Sequence, residues 1–311
     1  MKKDLLSLKE LTPEDISYIF ELAQNLKVGI GEFEKPLTGR SVGLIFQKPS
    51  NRTRVSFEVG IYQLGGNAIY LGPEDIKLGI REAIKDVARV HSRYLDGIIA
   101  RTFAHKDIVS LAKHSTIPVL NGLSDSYHPC QALSDIFTIK EKLGKLANVT
   151  LSYVGDGNNV LHSLMYAAAL VGMDLRFATP RGYEPDKDVV EDAKKLAEAT
   201  KATVNYSDSP EEAVRGADVV YTDVWASMGQ EGEHDKRVND FKDYQINEKL
   251  FAKAKKEALF MHCLPVHRGE EVVNAVIDGP NSVVIDQAEN RLHVQKALLV
   301  VYVGGKRRYD K

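Results

Sequence analysis

Cysteine is scarce in this chain. Only two cysteines occur among the 311 residues, Cys130 and Cys263, and they lie far apart in sequence without the spacing of metal ligands. This scarcity excludes a disulfide framework and favours a reducing compartment, the cytoplasm. A surplus of one charge is also missing, because the formal net charge is only -2. The electrostatic footprint of a nucleic-acid-binding protein is therefore absent, and we expect no nucleic-acid partner.

Long apolar runs, repeats and low-complexity segments are absent too. No apolar stretch reaches the roughly 20 residues that cross a bilayer as a helix, so we expect no membrane partner. The segment that begins at Met1 mixes polar and apolar residues, unlike the hydrophobic core of a signal peptide. With 43% hydrophobic and 27% charged residues, the composition is typical of a folded protein of about two domains.

Short apolar runs alternate with amphipathic segments along the whole chain. This alternation is typical of βαβ units and predicts an α/β fold with two doubly wound domains, each a parallel sheet flanked by helices. The helical pattern breaks at Gly144, where we place a hinge. The first domain is predicted to span residues 1–139, together with a C-terminal helix within 289–311 that packs back on it. The second domain is predicted to span residues 140–288, and a strand is expected at Val283–Asp286.

The turn after the first strand is dense in hydrogen-bond donors. A strand predicted at Val42–Phe46 leads into Ser50-Asn51-Arg52-Thr53-Arg54, where a helix begins. Ser50 or Asn51 can cap that helix, whose first N–H groups have no partners inside the helix. Free N–H groups beside arginines form an oxyanion site, so we interpret this turn as a phosphate site. The alternative is a capped helix with solvated arginines.

Polar residues follow several other predicted strands. Because ligands of parallel sheets lie beyond the carboxyl ends of the strands, these residues are candidates for one crevice. The candidates are Arg101, His128 and Gln131 in the first domain, and Asn159, Asp223, Ser227 and Cys263 in the second. Simpler interpretations stay open: a histidine that only caps a helix, an ordinary surface loop after Asp223, and an inert buried cysteine.

A glycine-containing turn, Gly155-Asp156-Gly157-Asn158-Asn159-Val160, resembles a dinucleotide-binding fingerprint. It departs from that pattern because Val160 stands at the third glycine position and the next predicted strand ends without an acid for a ribose hydroxyl. We interpret the segment as a tight turn that offers Asn159 to a polar ligand, or as a turn whose asparagines only cap the helix. An NAD-dependent dehydrogenase is kept as a remote alternative.

Taken together, these motifs resemble the aspartate/ornithine carbamoyltransferases, and the ornithine branch in particular. They occur in the family's order along nearly the whole chain: Ser50-Asn51-Arg52-Thr53-Arg54, Ala100-Arg101-Thr102, His128-Pro129-Cys130-Gln131, Gly155 to Asn159, Asp223 with Ser227-Met228-Gly229, His262-Cys263-Leu264-Pro265 and Glu289-Asn290-Arg291. Two positions depart from the family pattern. Asn51 replaces a threonine of Ser-Thr-Arg-Thr-Arg, and Lys77 stands where relatives often have glutamine or histidine.

The resemblance implies transfer of the carbamoyl group of carbamoyl phosphate to the δ-amine of L-ornithine, giving L-citrulline and phosphate, without a cofactor or metal. It implies catalytic roles for Cys263, Arg101, His128 and Arg52. The implied carbamoyl-phosphate-binding residues are Ser50, Asn51, Arg52, Thr53, Lys77, Arg101, His128, Gln131, Cys263, Leu264 and Arg291. The implied ornithine-binding residues are Asn159, Asp223, Ser227 and Met228.

The resemblance also implies a homotrimer or an assembly of trimers that serves arginine biosynthesis or the reverse, arginine deiminase, direction. Domain closure at Gly144 and at the loop after Gly229 is expected to exclude water from the labile donor. Aspartate is disfavoured as the acceptor because Asp223 and Cys263 would repel its second carboxylate. N-acetylornithine or putrescine as acceptor, and a non-enzymatic relative, stay as alternatives.

Overall fold

A computed structural model describes residues 1–29, 35–226, 229 and 231–305. The chain divides into two compact units, one made of Met1–Phe137 with Glu289–Lys311 and the other of Thr138–Ala288. Both unit boundaries fall inside long helices. Among the described residues, no helix combines the length and the apolar character needed to cross a bilayer.

The first unit contains a parallel sheet with the strand order β2-β1-β3-β4. The strands are β1 (Ser41–Phe46), β2 (Asn67–Leu71), β3 (Gly97–Arg101) and β4 (Val119–Leu123). Its helices are α1 (Pro13–Val28), α2 (Asn51–Gln63), α3 (Pro73–Ile76), α4 (Ile84–Tyr94), α5 (His105–His114) and the start of α6 (Pro129–Leu143). The central strand β3 is buried throughout and β1 nearly so, as expected for strands covered on both faces.

The second unit contains a parallel sheet with the strand order β7-β6-β5-β8-β9. The strands are β5 (Thr150–Val154), β6 (Asp174–Ala178), β7 (Val204–Tyr206), β8 (Val219–Thr222) and β9 (Leu259–His262). Its helices are α7 (Asn159–Val171), α8 (Lys187–Thr200), α9 (Pro210–Val214), α10 (His234–Phe241), α11 (Glu248–Phe251) and α12 (Asn274–Ile277). The predicted α/β class with two parallel sheets flanked by helices is therefore confirmed.

The strand predicted at Val283–Asp286 is wrong. Phe260 of β9 forms one bridge with Ser282, and the N–H of Val283 donates to the carbonyl of Phe260 at 3.0 Å. The chain then enters α13 (Val284–Tyr302), because the N–H of Gln287 donates to the carbonyl of Val283 at 2.8 Å. The β-branched residues that suggested a strand start a helix instead, since backbone bonding in the folded chain overrides their intrinsic preference.

The C-terminal part of α13 packs on the first unit, as predicted. Lys296 donates to the side chain of Gln63 on α2 at 3.0 Å. A Cβ atom at Gly60 of α2 would lie 3.2 Å from Lys296, so glycine permits this close approach of two helices. This packing brings Arg291, an early residue of α13, to the start of α2.

Candidate active site

The order in which the chain adds strands to the sheet of the first unit reverses between β1 and β3. The chain passes from β1 to β2 on one side, whereas β3 lies on the other side of β1. Ligands of such sheets bind beyond the strand ends at this switch point. Two of the predicted cations occur here, because Arg52 lies in the first turn of α2, which follows β1, and β3 ends at Arg101. The strand register places the ends of β1 and β3 side by side, since Phe46 at the end of β1 pairs with Arg101.

Ser50, the first of the two predicted capping residues, caps α2. Its extended backbone precedes Asn51, and its Oγ accepts a hydrogen bond from the N–H of Thr53 at 3.3 Å. Asn51 is exposed at the first helical position. The two arginines of this turn diverge. Arg54 is exposed, bonds Glu58 at 2.9 Å and lies over the ring of Tyr70.

His128 lies buried among the arginines of the first unit. Burial is the main cause that holds its pKa well below the ordinary value, and the charges of Arg291, Arg101 and Arg52 lower the pKa further. The imidazole is therefore neutral at neutral pH, and it keeps one N–H that can donate a hydrogen bond. Three guanidinium groups around a neutral donor form a site of strongly positive potential in a mostly buried place.

The predicted residue Arg291 is held by Thr53. Its Nη2 donates to Oγ1 of Thr53 at 2.8 Å, and the two residues are 3% and 1% exposed. Gln131 is buried in the first turn of α6, where its Nε2 donates to Asp135 at 2.8 Å. Its Oε1 has no hydrogen-bond partner within the described part of the chain, so an amide acceptor is available there. Burial raises the pKa of the thiol of Cys130, the neighbour of Gln131, to about 12.

Lys77 is placed differently from the other predicted phosphate ligands. It ends the short helix α3 with a left-handed backbone (φ 41°), and its ammonium group pairs with Glu74 at 3.2 Å. Its side chain is half exposed. A contact of Lys77 with phosphate stays a prediction.

The sheet of the second unit has its own switch point, between β5 and β8. Asp223 follows β8 and is buried. Its two carboxylate oxygens accept from different residues: Oδ2 from Nδ2 of Asn158 at 2.8 Å, and Oδ1 from the thiol of Cys263 at 3.0 Å. The structure thus brings together the predicted Asp223 and the predicted Cys263, which follows β9.

Asn158 is a candidate site residue that the sequence-based prediction did not include. Its Oδ1 caps α7 by accepting from the N–H groups of Val160 and Leu161, at 2.9 and 3.2 Å. The same amide donates to Asp223, so the cap also orients the carboxylate. The predicted residue Asn159 is the first residue of α7 and is half-buried. Ser227 and Met228, predicted to bind ornithine, lie outside the described residues.

A buried ion pair anchors the loop that follows Asp223. Arg237 of α10 contacts Asp156 at 3.2 Å and donates to the carbonyl of Trp225 at 2.8 Å. Burial raises the pKa of Asp156 to about 6, and Arg237 opposes this shift. Arg237 gave no signal in the sequence, because its partner lies in a turn 81 positions earlier. The start of the polar loop, at Trp225, is therefore fixed to the turn after β5.

The turn after β5 has no room for a dinucleotide at its second glycine. A Cβ atom at Gly157 would lie 2.3 Å from the backbone nitrogen of Pro185 and 2.5 Å from the backbone of Glu184. In a dinucleotide site the second glycine lets the pyrophosphate approach the backbone. Here the chain's own segment fills that space, which argues against the dehydrogenase alternative.

A second buried pair, His262 and Glu271, shapes the loop that carries Cys263. Both side chains are fully buried, and Nε2 of His262 lies 3.2 Å from a carboxylate oxygen of Glu271. Nδ1 of His262 accepts from the N–H of Leu264 at 2.9 Å, so Nε2 carries the proton and donates to Glu271. Leu264, a predicted phosphate-site residue, has a left-handed backbone with φ 58°. These bonds fix the backbone on both sides of Cys263.

Family models cover both units. Residues 3–141 match the carbamoyl-phosphate-binding domain of the aspartate/ornithine carbamoyltransferases, and residues 147–302 match the aspartate/ornithine-binding domain. The chain belongs to this family. The resemblance stated from the motifs is therefore confirmed.

Individual relatives agree with the family models over nearly their full length. The chain is 55% identical to the ornithine carbamoyltransferase of Oceanobacillus iheyensis, over 96% of this chain and 93% of that protein. The solved structure of ornithine carbamoyltransferase from Pyrococcus furiosus is 53% identical, with a TM-score of 0.95 and 98% of each chain covered. The Thermus thermophilus structure of the same name is 42% identical, with a TM-score of 0.88, covering 97% of this chain and 99% of that one.

Proposed function

We propose that this chain is an ornithine carbamoyltransferase. In this reaction the δ-amine of L-ornithine attacks the carbonyl carbon of carbamoyl phosphate. A C–N bond forms, the C–O bond to phosphate breaks, and the amine loses a proton. The products are L-citrulline and phosphate. The observation that carries this proposal is the buried, neutral His128 surrounded by three arginines.

The first unit provides the donor half of the chemistry. Carbamoyl phosphate carries its negative charge on the phosphate, and free N–H groups at the start of α2 with Arg52 and Arg291 are suited to hold it. Negative charge develops on the carbamoyl oxygen as the amine attacks. Arg101 and His128 can donate to that oxygen, and each such donor contributes about 10²–10³ in kcat. The free Oε1 of Gln131 can accept from the carbamoyl NH₂.

A neutral His128 suits this role better than a charged one. A protonated imidazole among three guanidinium groups would add a fourth positive charge at a buried place, which the depressed pKa of His128 prevents. The neutral ring donates one hydrogen bond to the carbamoyl oxygen and releases no proton during the reaction. We propose that His128 orients carbamoyl phosphate through this hydrogen bond. The arginines provide the positive charge that binds the phosphate group.

The second unit provides the acceptor half. The carboxylate of Asp223 accepts one bond at each oxygen and still has lone pairs for an ammonium group of the amino acid. Asn159, Ser227 and Met228 are proposed to bind the same end of ornithine. The thiol of Cys263 is proposed to lie beside the δ-amine, and its hydrogen bond to Asp223 orients the thiol. No covalent intermediate is proposed for Cys263, because a neutral alkyl amine is itself a sufficient nucleophile.

A panel of acceptors tests the proposal directly. Carbamoyl phosphate is supplied with L-ornithine, N-acetylornithine, putrescine or aspartate, and the ureido product is measured. Citrulline is expected as the main product, since N-acetylation removes the ammonium charge and putrescine lacks the amino-acid group altogether. A larger kcat/KM with N-acetylornithine or putrescine would reassign the acceptor. Absence of every ureido product from folded protein would point to a non-enzymatic relative.

We further propose the biosynthetic direction, a cytoplasmic location and a homotrimer. The direction is supported by the relatives from Pyrococcus furiosus and Campylobacter jejuni, whose names include the word anabolic. The trimer rests on family resemblance. Light scattering on the purified protein tests it, with an expected mass of three times 34.5 kDa or a multiple of that trimer. Comparing kcat/KM for citrulline formation and for phosphorolysis of citrulline tests the direction.

A further inference from the structure

Two histidines and a glutamate, none of them assigned above, converge on the surface of the second unit. They are His234, the first residue of α10, and His267 and Glu270 in the loop after β9. One ligand atom from each lies within 4.8 Å of the others. Nε2 of His234 lies 3.2 Å from both carboxylate oxygens of Glu270, and Nδ1 of His267 lies 3.6 Å from Oε2 of the same group.

The remaining contacts of these residues hold the donor atoms in place. Nδ1 of His234 lies 3.3 Å from the carboxylate of Asp235, which leaves Nε2 directed toward Glu270. A carboxylate on the far nitrogen is the usual partner of a metal-binding histidine. The loop is fixed as well: Gln245 donates to the carbonyls of Gly269 and Glu270 at 2.7 and 2.8 Å.

The backbone of His267 is fixed from inside the unit. Its N–H donates at 2.7 Å to Glu271, the buried partner of His262. Two of the three donors therefore belong to a loop whose backbone is fixed by hydrogen bonds within the protein. The donor atoms of these partly exposed side chains already lie within 4.8 Å of one another, so small rotations bring them around one ion.

We propose that His234, His267 and Glu270 bind a divalent transition metal ion, with Zn²⁺ as the ion that tests the site. Two imidazole nitrogens and one carboxylate are ligands that Zn²⁺ accepts, whereas Mg²⁺ and Ca²⁺ prefer sites made of oxygen alone. The three side chains are 41%, 43% and 29% exposed, so water completes the coordination and the ion exchanges with solvent. No sulfur ligand belongs to this site.

Metal binding at this site links two segments that flank the proposed acceptor residues. α10 follows the polar loop after Asp223, and His267 follows the loop that carries Cys263. An ion shared by both segments restrains the N-terminus of α10. We expect amide exchange at the start of α10 to slow when Zn²⁺ is added. This inference does not depend on the proposed reaction, because it concerns binding of the metal alone.

A second set of donors must be separated in the experiment. Asp223, His262 and Cys263 also bring ligand atoms within 4.8 Å of one another. Zn²⁺ titrations by calorimetry therefore use the full-length chain with Cys263→Ser as the background, which removes the sulfur ligand of that set. One Zn²⁺ per chain is expected in this background. His234→Ala, His267→Ala and Glu270→Gln are each expected to weaken its binding at least tenfold.

The control variant is His114→Ala, which removes a histidine of the first unit that bonds only within α5 among its described contacts. Its Zn²⁺ affinity is expected to equal that of the background. Co²⁺ provides a second measurement in the Cys263→Ser background, because the proposed site gives ligand-field bands without a thiolate-to-cobalt charge-transfer band. Unchanged Zn²⁺ affinity in both histidine variants, with circular dichroism showing a folded chain, overturns the proposal. Loss of all Zn²⁺ binding on Cys263→Ser alone also overturns it.

Discussion

Replacing Thr53 by valine removes the hydroxyl that receives Arg291, with little change of side-chain volume. The hydrogen bond is 2.8 Å long, and neither residue is more than 3% exposed, so water cannot readily take its place. Hydrogen bonds to charged groups contribute about 1.5–3 kcal/mol. We therefore expect Thr53→Val to lower the free energy of unfolding by about 2 kcal/mol. Thr53→Ser keeps the hydroxyl and serves as the matched control.

The same bond directs the Arg291 guanidinium toward the start of α2. Without it, the proposed phosphate ligand Arg291 loses one of the contacts that orient it, and carbamoyl phosphate is expected to bind more weakly. Thr53→Val is expected to raise the Kd for carbamoyl phosphate at least tenfold, measured by calorimetry. Thr53→Ser is expected to bind within a few-fold of the parent. Equal loss in both variants, one lacking the hydroxyl and the other lacking the methyl group, would show a general sensitivity of this position to packing and would contradict the hydrogen-bond argument.

A double-mutant cycle separates the pair from its surroundings. The cycle comprises Thr53→Val, Arg291→Gln and both together, each followed by urea unfolding and by carbamoyl phosphate titration. Because the two residues share one bond, a coupling energy of about 1–2 kcal/mol is expected. Independent sites add within about 0.5 kcal/mol. Additivity within that limit would refute the claim that Thr53 positions Arg291.

Four further outcomes follow from the same geometry. Arg52→Ala is expected to abolish carbamoyl phosphate binding in a folded chain, whereas Arg54→Ala, at the surface ion pair, is expected to bind normally; calorimetry compares them. The kcat/KM for ornithine is expected to rise from neutral toward alkaline pH, since an alkyl amine has a pKa near 10.4 and only its neutral form attacks; a flat profile with rate-limiting chemistry would contradict this. The pKa of His128 in the folded chain lies below its ordinary value of 6.5. Below pH 6.5 the unfolded chain therefore binds a proton at this residue that the folded chain does not bind. The free energy of unfolding is expected to fall on acidification below pH 6.5 by about 1.4 kcal/mol per pH unit. His128→Gln is expected to flatten that slope in unfolding measurements at pH 5–7, and a slope equal to the parent's would exclude His128 as its source. Gly157→Ala places a Cβ atom against the backbone at Pro185 and is expected to cost at least about 1–3 kcal/mol of stability, unlike the control Gly232→Ala, which meets open space.

The fold could be predicted because buried parallel strands have a simple sequence signature. Continuous apolar runs such as Val219–Thr222 are covered on both faces, and the structure has β8 at those residues. The error at Val283–Asp286 arose where the same signature occurs at the start of a helix. A short run of β-branched residues does not determine whether the next hydrogen bond joins a neighbouring strand or the following turn, and here it joins the turn.

The candidate site was partly predictable for a different reason. Topology alone places residues at strand ends near a switch point, which is why Arg52, Arg101 and Asp223 could be named from the sequence. Residues that contact a distant segment could not be named from the sequence, because the partner of each one is set only when the chain folds. Glu271 is such a residue: it looks like one more surface acid beside Glu270, yet it is fully buried against His262.

Asn158 shows how a residue type can reveal two constraints at one position. Serine, threonine, aspartate and asparagine all cap helices, because each has an oxygen that accepts from backbone N–H groups. Only asparagine among them adds an NH₂ donor on the same planar group. Aspartate at this position would set a second negative charge against Asp223, and the hydroxyl of serine or threonine would have to cap and donate with a single atom. The observed bonds use both ends of the amide, with Oδ1 on the first turn of α7 and Nδ2 on the Asp223 carboxylate. The helix alone would accept any of the four residues, so it is the carboxylate that requires asparagine.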